Sequence, residues 1–324
     1  MIILIDIKKK GLILQLLEES GTEGRIIQSQ NHKYENLTKA QIKSLVSDFL
    51  QLCKNPKKVR SRVVIGCFAY EPHLVKTLDL AFKRNRFNNC MRDLPNDLVI
   101  FEKHELISLN DFNFEHKVFS LNAGNSSNGN HSLFFSIGNH LQCFEEFVTQ
   151  GRKVKDLQRV EVGEIGFSPQ TDFDYEFIKF VQKKSNTVVK FNDLICKEGF
   201  KLMFLFHVKT VRSDIPKEPT SKEIIELIKS QDKQALDAVK NFFRILSFFI
   251  YSSVILTLPN KEVVLVGSFL SKMLAAYNNK EELKNIFMDN IVLSSHLKQN
   301  FENLKISIYT DIDALVRSAI FQNS

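Results

Sequence analysis

The sequence is poor in glycine and contains no tryptophan. Only 12 of its 324 residues are glycine, whereas phenylalanine occurs 28 times. An α/β enzyme that handles nucleotide phosphates commonly uses glycine-rich loops, because a residue without Cβ lets phosphate approach the backbone. The low glycine content therefore argues against several working phosphate loops. The abundance of phenylalanine predicts a core built largely from Phe side chains.

Cysteine is also scarce, and it does not occur in metal-binding patterns. The chain contains Cys53, Cys67, Cys90, Cys143 and Cys196. None of them forms a Cys-x-x-Cys pair, and no Cys/His cluster has the spacing of a zinc site. We therefore expect reduced, mostly buried thiols and no metal site.

Long apolar runs are rare. The apolar stretch at the N-terminus is interrupted by Asp6 and three lysines, so no signal peptide is expected. Residues 242–258 are apolar but contain Arg244 and are short for a span of ~20 residues. An amphipathic run precedes them and a Pro259-Asn260 turn follows, which favours a helix buried in a large domain. We expect a chain that is not transmembrane and is cytoplasmic or attached to an intracellular complex.

Charge of one sign is concentrated only in short runs, Lys8-Lys9-Lys10 and Lys54 to Arg62. The net charge is +7, from 44 basic and 37 acidic residues spread along the chain. A nucleic-acid partner is therefore not expected, because such proteins carry clustered basic patches. With 44% hydrophobic residues, the chain can bury a sizeable core.

Strand patterns and helix patterns alternate along the chain, which predicts a mixed α/β protein. Strands are predicted at 1–7, 12–17, 24–30, 63–69, 97–101, 132–137, 141–148, 262–267 and 304–309, and a strand followed by a turn at 159–167. Helices are predicted at 37–53, 174–183, 198–209, 221–230, 232–256, 268–277 and 311–321. The chain reads as two α/β halves, each opening with strands that pair sequentially.

Several segments follow the order and spacing of a known family. The chain opens IILIDIKKKGLILQL, continues through EVGEIGFSP at 161–169, and ends with KNFFRILSFFIYSSVILTL, VVLVGSFL and TDIDALVRSAIF. In this order it resembles the bacterial-type glucokinases of the hexokinase and actin-like ATPase superfamily. The resemblance implies a two-domain actin-like ATPase (ribonuclease H-like) fold. Residues 1–110 would form a small α/β domain completed by a C-terminal helix at 310–324, and residues 111–309 a large α/β domain.

The resemblance also implies positions for the nucleotide. Asp6 matches the aspartate of the first loop, which helps to hold metal and phosphates in the family. The Gly-Gly-Thr-Asn that follows there is replaced by residues 8–11, Lys-Lys-Lys-Gly. Gly138 is the one remaining glycine of the second phosphate loop, and Gly267 the one remaining of the Ala-Gly-Gly near adenosine. Long side chains at the replaced positions would obstruct phosphate.

Sugar positions follow from the resemblance in the same way. Glu102 matches the aspartate that serves as general base, and Phe101 replaces an asparagine that contacts sugar. Glu161 matches a sugar-binding glutamate, Glu164 replaces the histidine of that motif, and Asn192 replaces a further glutamate. Two buried glutamates close together would repel and raise a pKa, so we expect Glu161 and Glu164 to face solvent.

The altered positions lie in separate segments, whereas the strands and the long helix are kept. The first interpretation is therefore a catalytically inactive glucokinase-like protein that serves as a structural or scaffold subunit, with protein partners and no cofactor. The alternative is a divergent ATP-dependent hexose kinase that uses Mg-ATP and Glu102 to phosphorylate the 6-hydroxyl of glucose. A third possibility is a binding module that has kept one ligand, a sugar or a nucleotide.

Overall fold

The chain forms two compact units. The computed structural model describes residues 2–8, 11–20, 23–33, 39–52, 61–66, 97–102, 118–124, 129–148, 155–185, 187–211, 218–289 and 301–310. Described residues up to 102 belong to the first unit, and those from 118 onward to the second. The predicted boundary between residues 110 and 111, and the predicted helix from residue 311 onward, lie outside the described residues.

The first unit contains a five-stranded sheet and one described helix. Its elements are β1 (Ile2–Lys8), β2 (Gly11–Ser20), β3 (Glu23–Lys33), α1 (Lys39–Leu52), β4 (Ser61–Gly66) and β5 (Asp97–Glu102). The sheet order is β3-β2-β1-β4-β5. β1, β2 and β3 pair in an antiparallel way, and β4 and β5 continue the sheet in parallel with β1.

The second unit contains a six-stranded sheet and most of the helices in the described parts of the chain. Its strands are β6 (Val118–Asn122), β7 (His131–Ile137), β8 (Leu141–Val148), β9 (Lys155–Val160), β10 (Glu262–Val266) and β11 (Lys305–Tyr309). Its helices are α2 (Asp172–Ser185), α3 (Phe191–Leu194), α4 (Lys197–Val211), α5 (Ser221–Lys229), α6 (Lys233–Thr257), α7 (Ser268–Ala276) and α8 (Lys280–Asp289), with a 3₁₀ turn at Val162–Glu164.

The two sheets share one topology. In the second unit, β7, β8 and β9 form an antiparallel meander, and β10 and β11 are parallel to β7. The order β9-β8-β7-β10-β11 therefore repeats the arrangement of the first unit, with β6 added antiparallel to β11. The sequential pairing predicted for each half is therefore present in β1–β2–β3 and in β7–β8–β9, but the first described strand of the second unit, β6, pairs with β11 instead.

Side chains cap the first turns of helices α5 and α6. The Thr220 hydroxyl accepts a hydrogen bond from the Glu223 amide, and the Glu223 carboxylate accepts one from the Thr220 amide, which starts α5. Asp232 caps α6 by accepting from the Ala235 amide at 3.0 Å. Both caps satisfy N–H groups that the first turn of a helix leaves without an intrahelical partner.

Helix α6 lies in the core of the second unit. It is long and apolar enough to cross a membrane by length and composition, but 56% of its most apolar window is buried inside the protein. Its buried residues recur at helical spacing, including Ala235, Val239, Phe242 and Leu246. The core is rich in phenylalanine, as predicted: of the largest fully buried side chains, all but Tyr309 are Phe.

A buried ion pair joins α2 to α6. Asp174 is fully buried, and both of its carboxylate oxygens accept hydrogen bonds from the Arg244 guanidinium, one of them at 3.0 Å. Asp174 also accepts from the backbone amides of Gln170 and Thr171 before the helix. The isolated arginine in the apolar run at 242–258 therefore has a buried partner.

Several local elements differ from the prediction. A strand followed by a turn is predicted at 159–167, and a 3₁₀ turn does follow at Val162–Glu164, but strand β9 spans Lys155–Val160 and so begins four residues earlier than predicted. Strand β6 and helices α3 and α8 were not predicted. The start of α8 carries a signal that could have revealed it, because Asn279 caps the helix by accepting from the Glu282 amide at 3.2 Å.

Candidate functional site

The residues predicted for ligand binding divide between the two units. Asp6 lies near the carboxyl end of β1, and Glu102 is the last residue of β5. β4 separates the two strands, and its Ile65 and Gly66 pair with Asp6 and Glu102 respectively. Both acidic positions therefore lie toward the carboxyl-terminal ends of the parallel strands in the first sheet. α/β proteins commonly carry functional residues at this end of their strands.

In the second unit, Gly138 and Gly267 lie at the carboxyl ends of two neighbouring parallel strands. Gly138 follows β7, and Gly267 links β10 to α7. A Cβ on Gly267 would lie 2.0 Å from the carbonyl oxygen of Ile137, so this position requires glycine for close packing. A Cβ on Gly138 would meet no atom within 4 Å.

The turn between β7 and β8 bonds to its own surroundings. The Gly138 amide donates to the His140 carbonyl at 3.1 Å, and the Gly138 carbonyl accepts from the Lys197 amide at 2.8 Å. The Leu141 amide donates to Asn192 Oδ1 at 3.0 Å. A phosphate loop works by directing backbone N–H groups at the phosphate. In this turn the N–H groups of Gly138 and Leu141 instead donate to the His140 carbonyl and to Asn192.

Asn192 connects this turn to Glu164. Its amide nitrogen Nδ2 donates to Glu164 Oε1 at 2.9 Å, while its Oδ1 accepts from Leu141. The second carboxylate oxygen of Glu164 accepts from Lys190 Nζ at 2.6 Å. Lys190, Glu164, Asn192 and the Leu141 amide thus form a continuous chain of hydrogen bonds, which we call the Asn192 network.

The electrostatics of the Asn192 network favour a charged Glu164. Hydrogen bonds from Lys190 and then from Asn192 hold the pKa of Glu164 below its usual value. The side chains of Glu164 and Lys190 are 44% and 43% exposed, so the ion pair is at the surface and contributes little to stability.

Glu161 stands outside the Asn192 network. Its carboxylate pairs with Arg159 at 2.8 Å, and its side chain is 59% exposed. Glu161 and Glu164 therefore both face solvent, and each lies beside its own cation rather than beside the other glutamate.

Sequence reasoning did not identify Lys190 and Arg159. Lys190 meets Glu164 across 26 positions of sequence, where the chain returns in a bridge between Gly166 and Lys190. The sequence offers no periodic signal for such a contact, because it depends on how the 3₁₀ turn packs beside α3. Within the described parts of the chain, no group of three or more His, Cys, Asp or Glu residues is placed to hold a metal ion.

Known structures share this fold over the whole chain. No protein-family model and no curated protein sequence matches the chain. A glucokinase from an Antarctic psychrotroph is 14% identical, with a TM-score of 0.72 over 100% of this chain and 99% of that one. A ROK-family glucokinase from Streptomyces griseus, solved with glucose and AMPPNP, is 10% identical, with a TM-score of 0.60 over 99% of each chain.

A protein of a different kind has the same fold. A ROK-family transcriptional regulator, a homologue of the E. coli MLC protein, is 13% identical with a TM-score of 0.65, over 99% of this chain and 77% of that one. At such identities the similarity establishes the fold alone. The predicted fold class is confirmed: the chain has the α/β, actin-like ATPase fold of the sugar kinases.

Proposed function

We propose that this chain is a non-catalytic member of the sugar-kinase fold, which serves as a structural or scaffold subunit and does not transfer phosphate. The observation that carries the proposal is the Asn192 network. It joins a position matched to sugar binding with the turn matched to phosphate binding, and it occupies the polar groups of both.

The phosphate side of the argument concerns backbone donors. A phosphate on the β7–β8 turn would have to displace Asn192 from the Leu141 amide and the His140 carbonyl from the Gly138 amide. Asn192 Oδ1 would then lose its hydrogen-bond donor. The free energy lost there would offset part of the free energy gained by binding the phosphate. The exposed His140 and half-buried Gln142 stand at positions where the family has glycine, and their side chains add bulk there.

The sugar side of the argument concerns charge. Glu164 bonds to an ammonium group at 2.6 Å and to an amide at 2.9 Å. A neutral sugar hydroxyl would have to replace a charge-assisted hydrogen bond by a weaker one. The position therefore favours its internal partners over glucose.

The fold itself does not require catalysis. The ROK-family transcriptional regulator of this fold supports a non-enzymatic use, since function depends on the site and not on the fold. The alternative, a divergent hexose kinase using Mg-ATP and Glu102 as base, is supported by the glucokinase neighbours alone.

Calorimetric titration with glucose and, separately, with Mg-ATP tests the proposal. We expect no heat of binding for either up to millimolar ligand, and no glucose 6-phosphate in a coupled assay. A thermal melt of the same sample checks that the protein is folded. Binding of both ligands together with phosphotransfer that Glu102→Gln abolishes would replace the proposal by the kinase alternative. Binding of one ligand without phosphotransfer would replace the proposal by the third possibility, a module that binds a sugar or a nucleotide.

A further inference from the structure

A half-buried histidine connects three helices of the second unit. His207, on α4, lies with its ring Nε2 3.2 Å from Nδ2 of Asn241 on α6. The same ring stacks on Phe173 of α2, with the ring centroids 5.1 Å apart and the planes at 28°. His207 therefore contacts both helices that the Asp174–Arg244 ion pair also connects.

The orientation of the Asn241 amide decides which nitrogen of His207 carries the proton. Asn241 Nδ2 also donates to the Asp237 carbonyl at 3.1 Å, and Asn241 Oδ1 accepts from Arg244 Nε at 3.3 Å. Turning the amide over would set Oδ1 against a carbonyl oxygen and Nδ2 against an N–H group, so only the observed orientation satisfies these contacts. Nε2 of His207 must then accept the hydrogen bond from Asn241. The imidazole is therefore neutral, with its proton on Nδ1.

Protonation of His207 would remove this contact. A protonated imidazole carries N–H on both ring nitrogens, so Nε2–H would face the N–H of Asn241 Nδ2. The amide cannot present Oδ1 to the ring without losing its bonds to Asp237 and Arg244. The ring would have to turn away from Asn241, and that turn would disturb its stacking on Phe173.

The charges around the ring come from all three helices. On α6, Asp237 attracts a proton to His207, whereas the Arg244 guanidinium is paired with Asp174 of α2. Lys209, on α4 itself, lies over an aromatic ring of α2, with Nζ 4.9 Å from the ring centroid. Burial of the imidazole outweighs the attraction of Asp237 and lowers the pKa of His207.

We propose that the His207–Asn241 contact is a pH-dependent switch, which holds while the imidazole is neutral and breaks when it is protonated, so that the start of α2 loosens against α4. The broken form binds protons more readily, so the contact is kept above the ordinary histidine pKa of about 6.5 and lost as the pH falls below it. The switch would thus respond to mild acidification. The inference does not depend on the proposed function.

The switch is separate from the buried ion pair beside it. Because Arg244 holds the pKa of Asp174 below its usual value, Asp174 stays ionised over the range in which a histidine titrates. A change in α2 under mild acid therefore reports on His207 and not on Asp174.

Hydrogen–deuterium exchange of the full chain tests the switch, with rates corrected for intrinsic exchange. We expect the first two turns of α2 to exchange up to about tenfold faster at about pH 5.5 than at about pH 7.5, because a freed histidine of pKa about 6.5 favours the broken form by about that factor. His207→Gln should abolish the difference, since its amide offers Asn241 an acceptor that does not titrate. His140→Gln is the matched control: His140 is an exposed histidine of the same unit, and the difference should remain.

A carboxylate at position 241 should reverse the response. Asn241→Asp places an acceptor against Nε2 that favours the protonated ring. The start of α2 should then exchange more slowly at about pH 5.5 than at about pH 7.5. Circular dichroism checks that each variant is folded.

Nitrogen-15 NMR of the histidine side chains follows the switch in the natural chain, with His207 assigned by the signal that His207→Gln loses. We expect the Nδ1–H tautomer at about pH 7.5 and a titration midpoint below about 6.5. An Nε2–H tautomer or a midpoint at or above about 6.5 would overturn the proposal. So would an exchange rate in α2 that does not change with pH, or a change that survives in His207→Gln.

Discussion

Gly138 and Gly267 are equivalent in the sequence, as the two glycines that remain in the matched nucleotide loops, but they differ in structure. Gly267 packs against the Ile137 carbonyl so closely that a Cβ would lie 2.0 Å from the oxygen. Gly138 has open space around the position of its missing Cβ. One glycine is therefore required by the packing of β7 against the start of α7, and the other is not.

Alanine substitutions should separate these two roles. Gly267→Ala is expected to lower the free energy of unfolding by about 1–3 kcal/mol, because the backbone must shift to relieve the contact. Gly138→Ala is the matched control and should change it by less than about 1 kcal/mol, with either sign. Urea denaturation followed by circular dichroism measures both. Equal losses in the two variants would contradict the packing role of Gly267.

The hydrogen bonds of Glu164 and Asn192 depend on residues that meet them only in the folded protein. The sequence indicates that they replace a histidine and a glutamate of the family they resemble. Their partners Lys190 and the Leu141 amide come from other segments of the chain. The lowered pKa of Glu164 follows from those partners, so no reading of the glutamate motif by itself could have predicted it.

Among the helices, α6 ends in an unusual conformation. Its C-terminal cap, Leu258, has φ 50° and ψ 54°, the left-handed region that suits glycine and is strained for a branched side chain. The side chain is 60% exposed, so burial offsets little of that strain. The following Pro259 prevents the helix from continuing.

Glycine at this cap should stabilise the second unit. Leu258→Gly is expected to raise its free energy of unfolding by about 1 kcal/mol, because glycine adopts the left-handed region without a Cβ clash. Leu256→Gly is the control: Leu256 is 62% exposed but lies within α6, where glycine should lower stability by about 1 kcal/mol. Thermal melts of the two variants should shift in opposite directions, and a shift in the same direction would contradict the strain argument.

The elements that sequence patterns predicted best have strong local signals. Helix α6 combines a cap at Asp232 with apolar residues at helical spacing, and its observed bounds differ from the prediction by one residue at each end. Strand β6 was missed because it directly precedes the polar loop at 122–131 and its pairing with β11 joins segments far apart in sequence. Local periodicity cannot reveal an edge strand whose partner lies almost 200 residues away.

At the scale of the molecule, stability depends on pH through the buried ion pair between α2 and α6. Burial raises the pKa of Asp174, but the hydrogen bonds and charge of Arg244 outweigh it and hold that pKa below its usual value. A carboxyl with a depressed folded pKa contributes stability above its unfolded pKa of about 3.9, and this is lost as the pH falls through the folded pKa.

Asp174→Asn should remove this contribution. We expect it to lower the free energy of unfolding of the second unit by about 3 kcal/mol at pH 7, because Arg244 keeps a largely buried charge without its partner. The deficit should shrink as the pH falls below about 4, where the aspartate of the unfolded natural chain begins to protonate and the contribution of the ion pair to stability declines. Asp172→Asn, on the exposed first turn of α2, should cost less than about 1 kcal/mol. Calorimetric melts at pH 7 and at about pH 3.5 compare both variants with the natural sequence. A stability deficit of Asp174→Asn that does not change with pH would contradict the role given to the Asp174–Arg244 ion pair.

The sequence by itself determined the α/β class, the two sequentially paired strand meanders and the Phe-rich core. These features depend on periodicity, composition and neighbours within a few positions, which a linear sequence records directly. Only the tertiary structure decided that Gly267 is needed for packing, that Arg244 neutralises Asp174, and that Asn192 ties Glu164 to the β7–β8 turn. Each of these depends on distances between segments far apart in the chain, and those distances exist only once the chain has folded.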